Sequence, residues 1–362
     1  MKSSNKHEQR GTPPQGARLL LRFAFLALTL VGVAGAFAWT AGWISLESPR
    51  RVTSQRIIDG FEAMTGRHPG FRRNHAKGIC VSGYFESNGQ AAGLSKASVF
   101  KAGRYPLIGR LSRPGSDPRR DDSHASVRSL ALQITLGGHE QWRTAMNSVP
   151  IFAVRTPEAL YEQLTALAAN ARTGQPDPAA MDAFLARHPE TRAFNAWLDA
   201  HPPASGFDNA AYYSVNAFRF IDDHGTPRYV RWSVVPEAPY RAVSDAQTRD
   251  PDFLAHDLVE RLKRAPVRWR LIIAVAHPGD PTDDATRAWP ADRNSLDAGT
   301  VVIDQAQSQI DGPCRDVNFD PLTLPAGIEP SEDPLLAARS AAYAVSFDRR
   351  VREEARIPLL GK

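Results

Sequence analysis

A chain of 362 residues with 42% hydrophobic and 23% charged side chains has a globular composition and length enough for one large core or two modest ones, which excludes disorder as its default state. The formal charge of +5 would suit nucleic acid, but Lys2, Lys6, Arg10, Arg18 and Arg22 stand against Glu8 alone at the start of the chain, so the remainder is close to neutral. Basic charge packed ahead of an apolar run is a membrane-topology signal, whereas a nucleic-acid protein spreads a basic stripe over its fold; nucleic acid is therefore not expected as a partner.

The apolar run from Phe23 to Leu46 carries no charge and reaches the length of about 20 residues that crosses a bilayer core. With residues 1–22 as a basic cytoplasmic segment, the positive-inside rule makes 23–46 a transmembrane signal anchor and puts the rest outside the cytoplasm, on the periplasmic side in a bacterium. Ala34, Ala36 and Ala38 offer the competing reading of a cleaved signal peptide, but the run continues through Trp39 and Trp43, as a span with an interfacial aromatic belt does. Both readings export one domain, expected over 50–362. It opens on an amphipathic segment with Thr53 as N-cap.

Alternating strand patterns follow at Gly78–Glu86, Val127–Leu136, Tyr212–Ile221, Tyr229–Val235, Val267–Ala276 and Thr300–Asp304. Helical patterns cover Pro157–Arg172, Pro178–Ala186, Glu190–Asp199, Pro251–Arg264 and about Asp333–Glu354, the last with Ser331 as its N-cap. Strands come mostly as neighbours and helices as insertions or at the end, so the fold class is α+β with a mostly antiparallel sheet. Cys80 and Cys314 are read as two buried small side chains in a domain that does not depend on disulfides; a bridge stays open, because sequence does not give their separation. No CxxC spacing suggests zinc, and no GxGxxG loop suggests a nucleotide cofactor.

Two places carry chemistry. His75 sits where the polar RRNHAKG loop turns into the apolar strand ICVSGYFE, and an imidazole there can shuttle a proton. In the last helix, Arg339 and Tyr343 are i and i+4, and Phe347 and Arg350 continue the same stripe. The ordinary reading of such a pair is a half-buried tyrosine beside an exposed arginine. A phenol with a reference pKa of about 10 can instead bind ferric iron as phenolate, and an adjacent guanidinium favours that anion.

The ordered set HAKG, GYFE at Gly83–Glu86, LSKASVF at Leu94–Phe100, PLIGRLS at Pro106–Ser112, VRSLALQ at Val127–Gln133 and NSVPIF at Asn147–Phe152 resembles the distal haem segment of the catalases. Asp250–Val275 and Asn318–Tyr343 resemble their helix-to-strand passage and proximal segment. Across residues 55–352 the chain looks like the smaller catalase-related haem peroxidases. That resemblance implies an antiparallel β-barrel with helical insertions and a C-terminal haem-binding helix, and haem b with Tyr343 on its iron. It further implies His75 as proton shuttle, Asn147 hydrogen-bonding the peroxide, Ser112 orienting the imidazole, and Arg72, Arg110 and Arg350 pairing with haem propionates, beside Arg339 near the phenolate. The substrates implied are peroxide and a small organic reductant. A true catalase is the rival enzyme, and an exported haem-binding protein the rival of another class. The chain departs from the pattern at Asn74, where catalases have valine, at Ala153, where they have phenylalanine, and at Val345 and Phe347, where they have aspartate and histidine; Asn74 and Ala153 are expected to widen or wet the distal side if they face it.

Overall fold

The computed structural model describes residues 15–40, 52–170 and 173–355, in two units, residues 1–51 and 52–362. In the first unit, α1 (Gln15–Thr40) is a continuous helix whose Phe23, Phe25, Leu26, Leu28, Leu30, Val31 and Val33 are all exposed. Among the described residues no helix is long and apolar enough to cross a membrane, and the stretch 41–46 of the expected span lies outside them.

The second unit begins with α2 (Ser54–Thr65), capped by the Thr53 hydroxyl, which accepts from the Arg56 N–H as the sequence predicts. Among the described residues ten strands follow, with α3 (Pro157–Leu167), α4 (Pro178–Arg187) and α5 (Thr191–Ala200) inserted after the fourth, α6 (Phe253–Leu262) before the eighth and α7 (Pro334–Glu354) at the end. The strands are β1 (Gly78–Ser87), β2 (Gly103–Ser112), β3 (Ser129–Thr135), β4 (Gln141–Asn147), β5 (Tyr212–Tyr213), β6 (Phe218–Ile221), β7 (Pro227–Pro236), β8 (Val267–Val275), β9 (Ser295–Ser308) and β10 (Ile328–Pro330). The order β7-β5-β4-β3-β2-β1-β9-β8 returns to β7 through the β7–β8 pairing, so eight strands close an antiparallel barrel and β6 and β10 extend one edge. Closure leaves no free edge in that ring.

Alternation puts Ile79, Val81 and Phe85 of β1, Leu130, Leu132 and Ile134 of β3 and Val230, Trp232 and Val234 of β7 in the barrel core. There Trp142 meets Phe100 and Trp232 edge-on, at centroid separations of 5.6 and 5.2 Å.

Four expectations are corrected. The alternating reading omits β2, β4 and β10, because Gly109 in β2 and Thr144 in β4 take core-facing positions, between Leu107 and Leu111 and between Trp142 and Met146, and β10 has only three residues. The single strand expected over Tyr212–Ile221 is two, broken at Val215, whose backbone is left-handed at φ 66°. The N-cap of α7 is Asp333, whose Oδ1 accepts from the Leu335 N–H at 2.9 Å, with Pro334 in the first turn; Ser331 lies before the cap. Finally, Cys80 and Cys314 form a disulfide, although 234 residues separate them, because Cys80 points off the outer face of β1 toward the segment before α7.

Candidate active site

The site is built on the outer face of the barrel. Register pairs Ser112 of β2 with Ser129 of β3, and Ser129 with Asn147 of β4; two residue pairs further along, Arg110 meets Ala131, and Ala131 meets Ala145. Two-residue periodicity therefore places Arg110, Ser112, Ser129, Ala131, Ala145 and Asn147 on one patch. The Arg110 guanidinium lies over Gly78, where a Cβ would come within 2.7 Å of it, so only glycine leaves it room. It donates to the Ala76 carbonyl and the Gln309 side chain.

Opposite this patch, α7 presents Leu335, Ala338, Arg339, Ala342, Tyr343, Ser346, Phe347 and Arg350, and α2 and α3 add Ile57, Ile58, Phe61 and Leu160 as an apolar wall. The stripe predicted from i, i+4 spacing is thus the face that lines the cavity. All eight residues singled out in the sequence, Arg72, His75, Arg110, Ser112, Asn147, Arg339, Tyr343 and Arg350, border one space of about 1140 Å³ counting its mouth.

The segment carrying Arg72 and His75 is fastened to α7 by charge. Buried Arg73 donates to both Glu353, at 2.9 Å from Nη1 to Oε2, and Glu62 of α2, at 2.6 Å, while Arg67 and the Gly70 N–H also reach Glu353. Burial alone would raise the pKa of Glu353, but the hydrogen bonds from Arg73 and Arg67 outweigh it and hold the carboxyl below its ordinary value. Arg72 donates from one nitrogen to the carbonyls of Cys314, Arg315 and Val317, so the disulfide-tethered segment supplies its seat.

Charge in the cavity is one-sided: among the described residues four arginines line it and no carboxylate does. Burial, and then the neighbouring guanidinium of Arg350, lowers the pKa of Arg72 to about 10; burial, and then Arg72 and Arg350, lowers that of Arg110 well below its usual range. The His75 imidazole is held neutral, its pKa lowered to about 3 by burial and then by the charges of Arg110, Arg339 and Arg72. Arg110 Nε, Arg350 Nε and Nη2, and His75 Nδ1 are buried without a hydrogen-bond partner among the described residues. Orphaned donors around an excess of positive charge call for an anionic guest.

Several details refine the expected roles. Among the described residues no hydrogen bond joins Ser112 to His75. Arg339 donates to the Asn216 side chain and, at 3.0 Å, to the Ala145 carbonyl; Asn216 in turn donates to the cap residue Asp333 at 2.8 Å. The Asn147 carbonyl accepts from Ser129 Oγ at 2.8 Å, which leaves its NH₂ free for a ligand. Asn74 and Phe347 line the cavity, whereas Ala153 does not: its carbonyl accepts from Thr191 at the start of α5. The reading of the sequence missed Ser129, Asn216 and the α2–α3 wall; the i, i+1, i+4 spacing of Ile57, Ile58 and Phe61 is the signal that could have found the last.

The family model for catalases matches residues 57–357, nearly all of the second unit. The chain belongs to the catalase family. A catalase-related peroxidase of Synechococcus elongatus is 35% identical over 91% of this chain and 97% of its own length, and one of Mycolicibacterium paratuberculosis is 31% identical over 83% and 95%. Among solved structures, catalase A from Saccharomyces cerevisiae superposes with a TM-score of 0.72 at 20% identity over 87% of this chain and 68% of that one, and a fungal catalase with 0.71 at 20% over 81% and 61%. At that identity the likeness shows the fold alone. The catalase family implies haem, and the cavity fits such a group. It offers a phenol oxygen on Tyr343 with no hydrogen bond among the described residues, three guanidiniums for acidic side groups, and apolar walls for a flat ring.

Proposed function

We propose that the protein is a haem-dependent peroxidase that reduces hydrogen peroxide and organic hydroperoxides with a small organic electron donor, in defence against oxidative stress. The observation that carries this reading is the convergence of His75, Asn147 and Tyr343 on one cavity rich in unpaired guanidinium nitrogens. A haem-binding protein needs an iron ligand but no neutral imidazole paired with a free amide. The long matches to catalase-related peroxidases, against 28% identity over 55% of the catalase of Glandirana rugosa, favour peroxidase over dismutase.

Haem b would be held by Tyr343 on its iron and by Arg72, Arg110 and Arg350 at its propionates. When bound, it supplies the redox centre for splitting the O–O bond of a peroxide. The chain handles the protons. With its proton on the enclosed Nδ1, His75 offers the Nε2 lone pair to the cavity, takes the proton of the bound peroxide and returns one to the departing oxygen. The Asn147 NH₂ donates to the peroxide and fixes its orientation, while Ser129 fixes the amide. The α2–α3 wall keeps water from that exchange and suits an alkyl group on the substrate.

The disulfide supports an exported domain, because such bridges persist in oxidising compartments. The exposed apolar side chains of α1, behind basic residues, support a membrane anchor with the catalytic unit on its outer side. Parallel assays of oxygen release and donor oxidation test the function: the expected result is dye oxidation with either hydrogen peroxide or an alkyl hydroperoxide, and weak oxygen release. Rapid oxygen evolution without donor oxidation would make it a true catalase. Tyr343→Phe should lose haem or change its absorption, and an unchanged spectrum at full occupancy would remove Tyr343 as ligand. Full-length protein released from membranes by carbonate would remove the anchor.

A further inference from the structure

Among the described residues no hydrogen bond holds the imidazole of His75. Its Nδ1 is buried without a partner, so the place of the ring is set by the backbone beneath it. That backbone is left-handed, at φ 57°, a conformation that a side chain disfavours by roughly tenfold for a residue left to itself. The neighbouring side chain opposes the penalty. Asn74 Oδ1 accepts from the His75 N–H and from the Gly115 N–H, each at 2.9 Å, and the Gly115 carbonyl accepts from the Ala76 N–H, also at 2.9 Å. The turn is clasped from both sides of the histidine, to a loop that is itself left-handed at Gly115, φ 120°.

We propose that Asn74 is a positioning residue, which acts on peroxide through the placement of His75; the inference rests on His75 being the proton shuttle. The two N–H donors fix the amide with its oxygen toward the backbone. Valine, which catalases have at this place, has no acceptor and cannot form the clasp. Asn74 is thus the means by which this chain holds an imidazole that Ser112 does not hold.

The test uses full-length, haem-loaded protein with the variants Asn74→Val, Asn74→Asp, His75→Ala and the Asn74→Val/His75→Ala pair, and stopped-flow reaction with hydrogen peroxide. Asn74→Val should keep its haem and react roughly tenfold more slowly, the weight of the left-handed penalty. Asn74→Asp, which keeps the acceptor for both N–H groups, should recover to within about threefold of wild type, less than the roughly fivefold of one lost hydrogen bond. In the His75→Ala background Asn74→Val should cost less than about twofold, because the residue acts through the histidine. Independently of turnover, amide exchange at His75 and Gly115 in the haem-free chain should quicken in Asn74→Val and stay slow in Asn74→Asp. A wild-type rate in Asn74→Val, or the full loss persisting without His75, overturns the proposal. If His75→Ala itself reacts at the wild-type rate, the shuttle assignment falls instead, and with it any role for Asn74 in the reaction.

Discussion

Removing the Cys80–Cys314 bridge by Cys80→Ala with Cys314→Ala deletes a crosslink that closes a loop of 234 residues. In the chain-entropy model a loop of that length stabilises the folded state by about 5 kcal/mol relative to the open chain. A domain of roughly 300 residues has an unfolding entropy of about 0.6 kcal/mol/K, so the melting midpoint should fall by roughly 8 °C. The effect is also local. Both sulfurs are buried against Phe319 and beside Tyr343, and the carbonyls of Cys314, Arg315 and Val317 seat Arg72. The variant should therefore bind haem more weakly as well as melt earlier. Thermal melts of wild type and variant, each with and without a thiol reductant, separate crosslink from side chain: reductant should lower the wild-type midpoint toward that of the variant and leave the variant unmoved. A variant midpoint within about 2 °C of wild type would refute the entropic reasoning.

Acid should weaken the fold through His75. Burial and the neighbouring guanidiniums lower its folded pKa to about 3, so below about 6.5 the unfolded chain binds a proton that the folded one refuses. Stability then falls as pH drops from about 6.5 toward 3, by at most about 1.4 kcal/mol per unit from this group, and its contribution is level above pH 6.5; urea titrations of wild type against His75→Gln should differ by that slope, and parallel curves would contradict it. Glu353→Gln should cost roughly 3–5 kcal/mol, because buried Arg73 loses half of its counter-charge, and calorimetry showing no change would mean that the network adds nothing. Ser129→Ala should leave haem content untouched but slow the reaction with peroxide by roughly fivefold, about one hydrogen bond's worth, as Asn147 loses its fixed orientation; an unchanged rate would show that Asn147 is held by other means.

Local spacing was enough to find the working face of α7. Arg339, Tyr343, Phe347 and Arg350 fall on one stripe because 3.6 residues make a turn, wherever the helix docks. The same holds for Thr53 as a cap and for the alternation of β1, β3 and β7, since both follow from covalent geometry within a few residues. Ordered motifs along the chain likewise pointed to all eight residues that the fold gathers around one cavity. What sequence left undecided depends on partners far apart in the chain. Whether Cys80 meets Cys314, and whether Arg73 reaches Glu353 across 280 residues, is settled by how the barrel closes and where α7 lies on it. Ser129 comes under Asn147 only through the β3–β4 register, and Ala153 turns away from the cavity because the helical insertion packs there. The left-handed turns at His75 and Val215 carry too little local signature to be read, since neither residue is a glycine. At His75 the adjacent Asn74 side chain opposes the penalty, but the Gly115 loop that completes the clasp is brought there only by the assembled structure; at Val215 the Asn216 N–H bonds the Ser214 carbonyl across the turn, and the side chain is buried with Ala285 and Leu335.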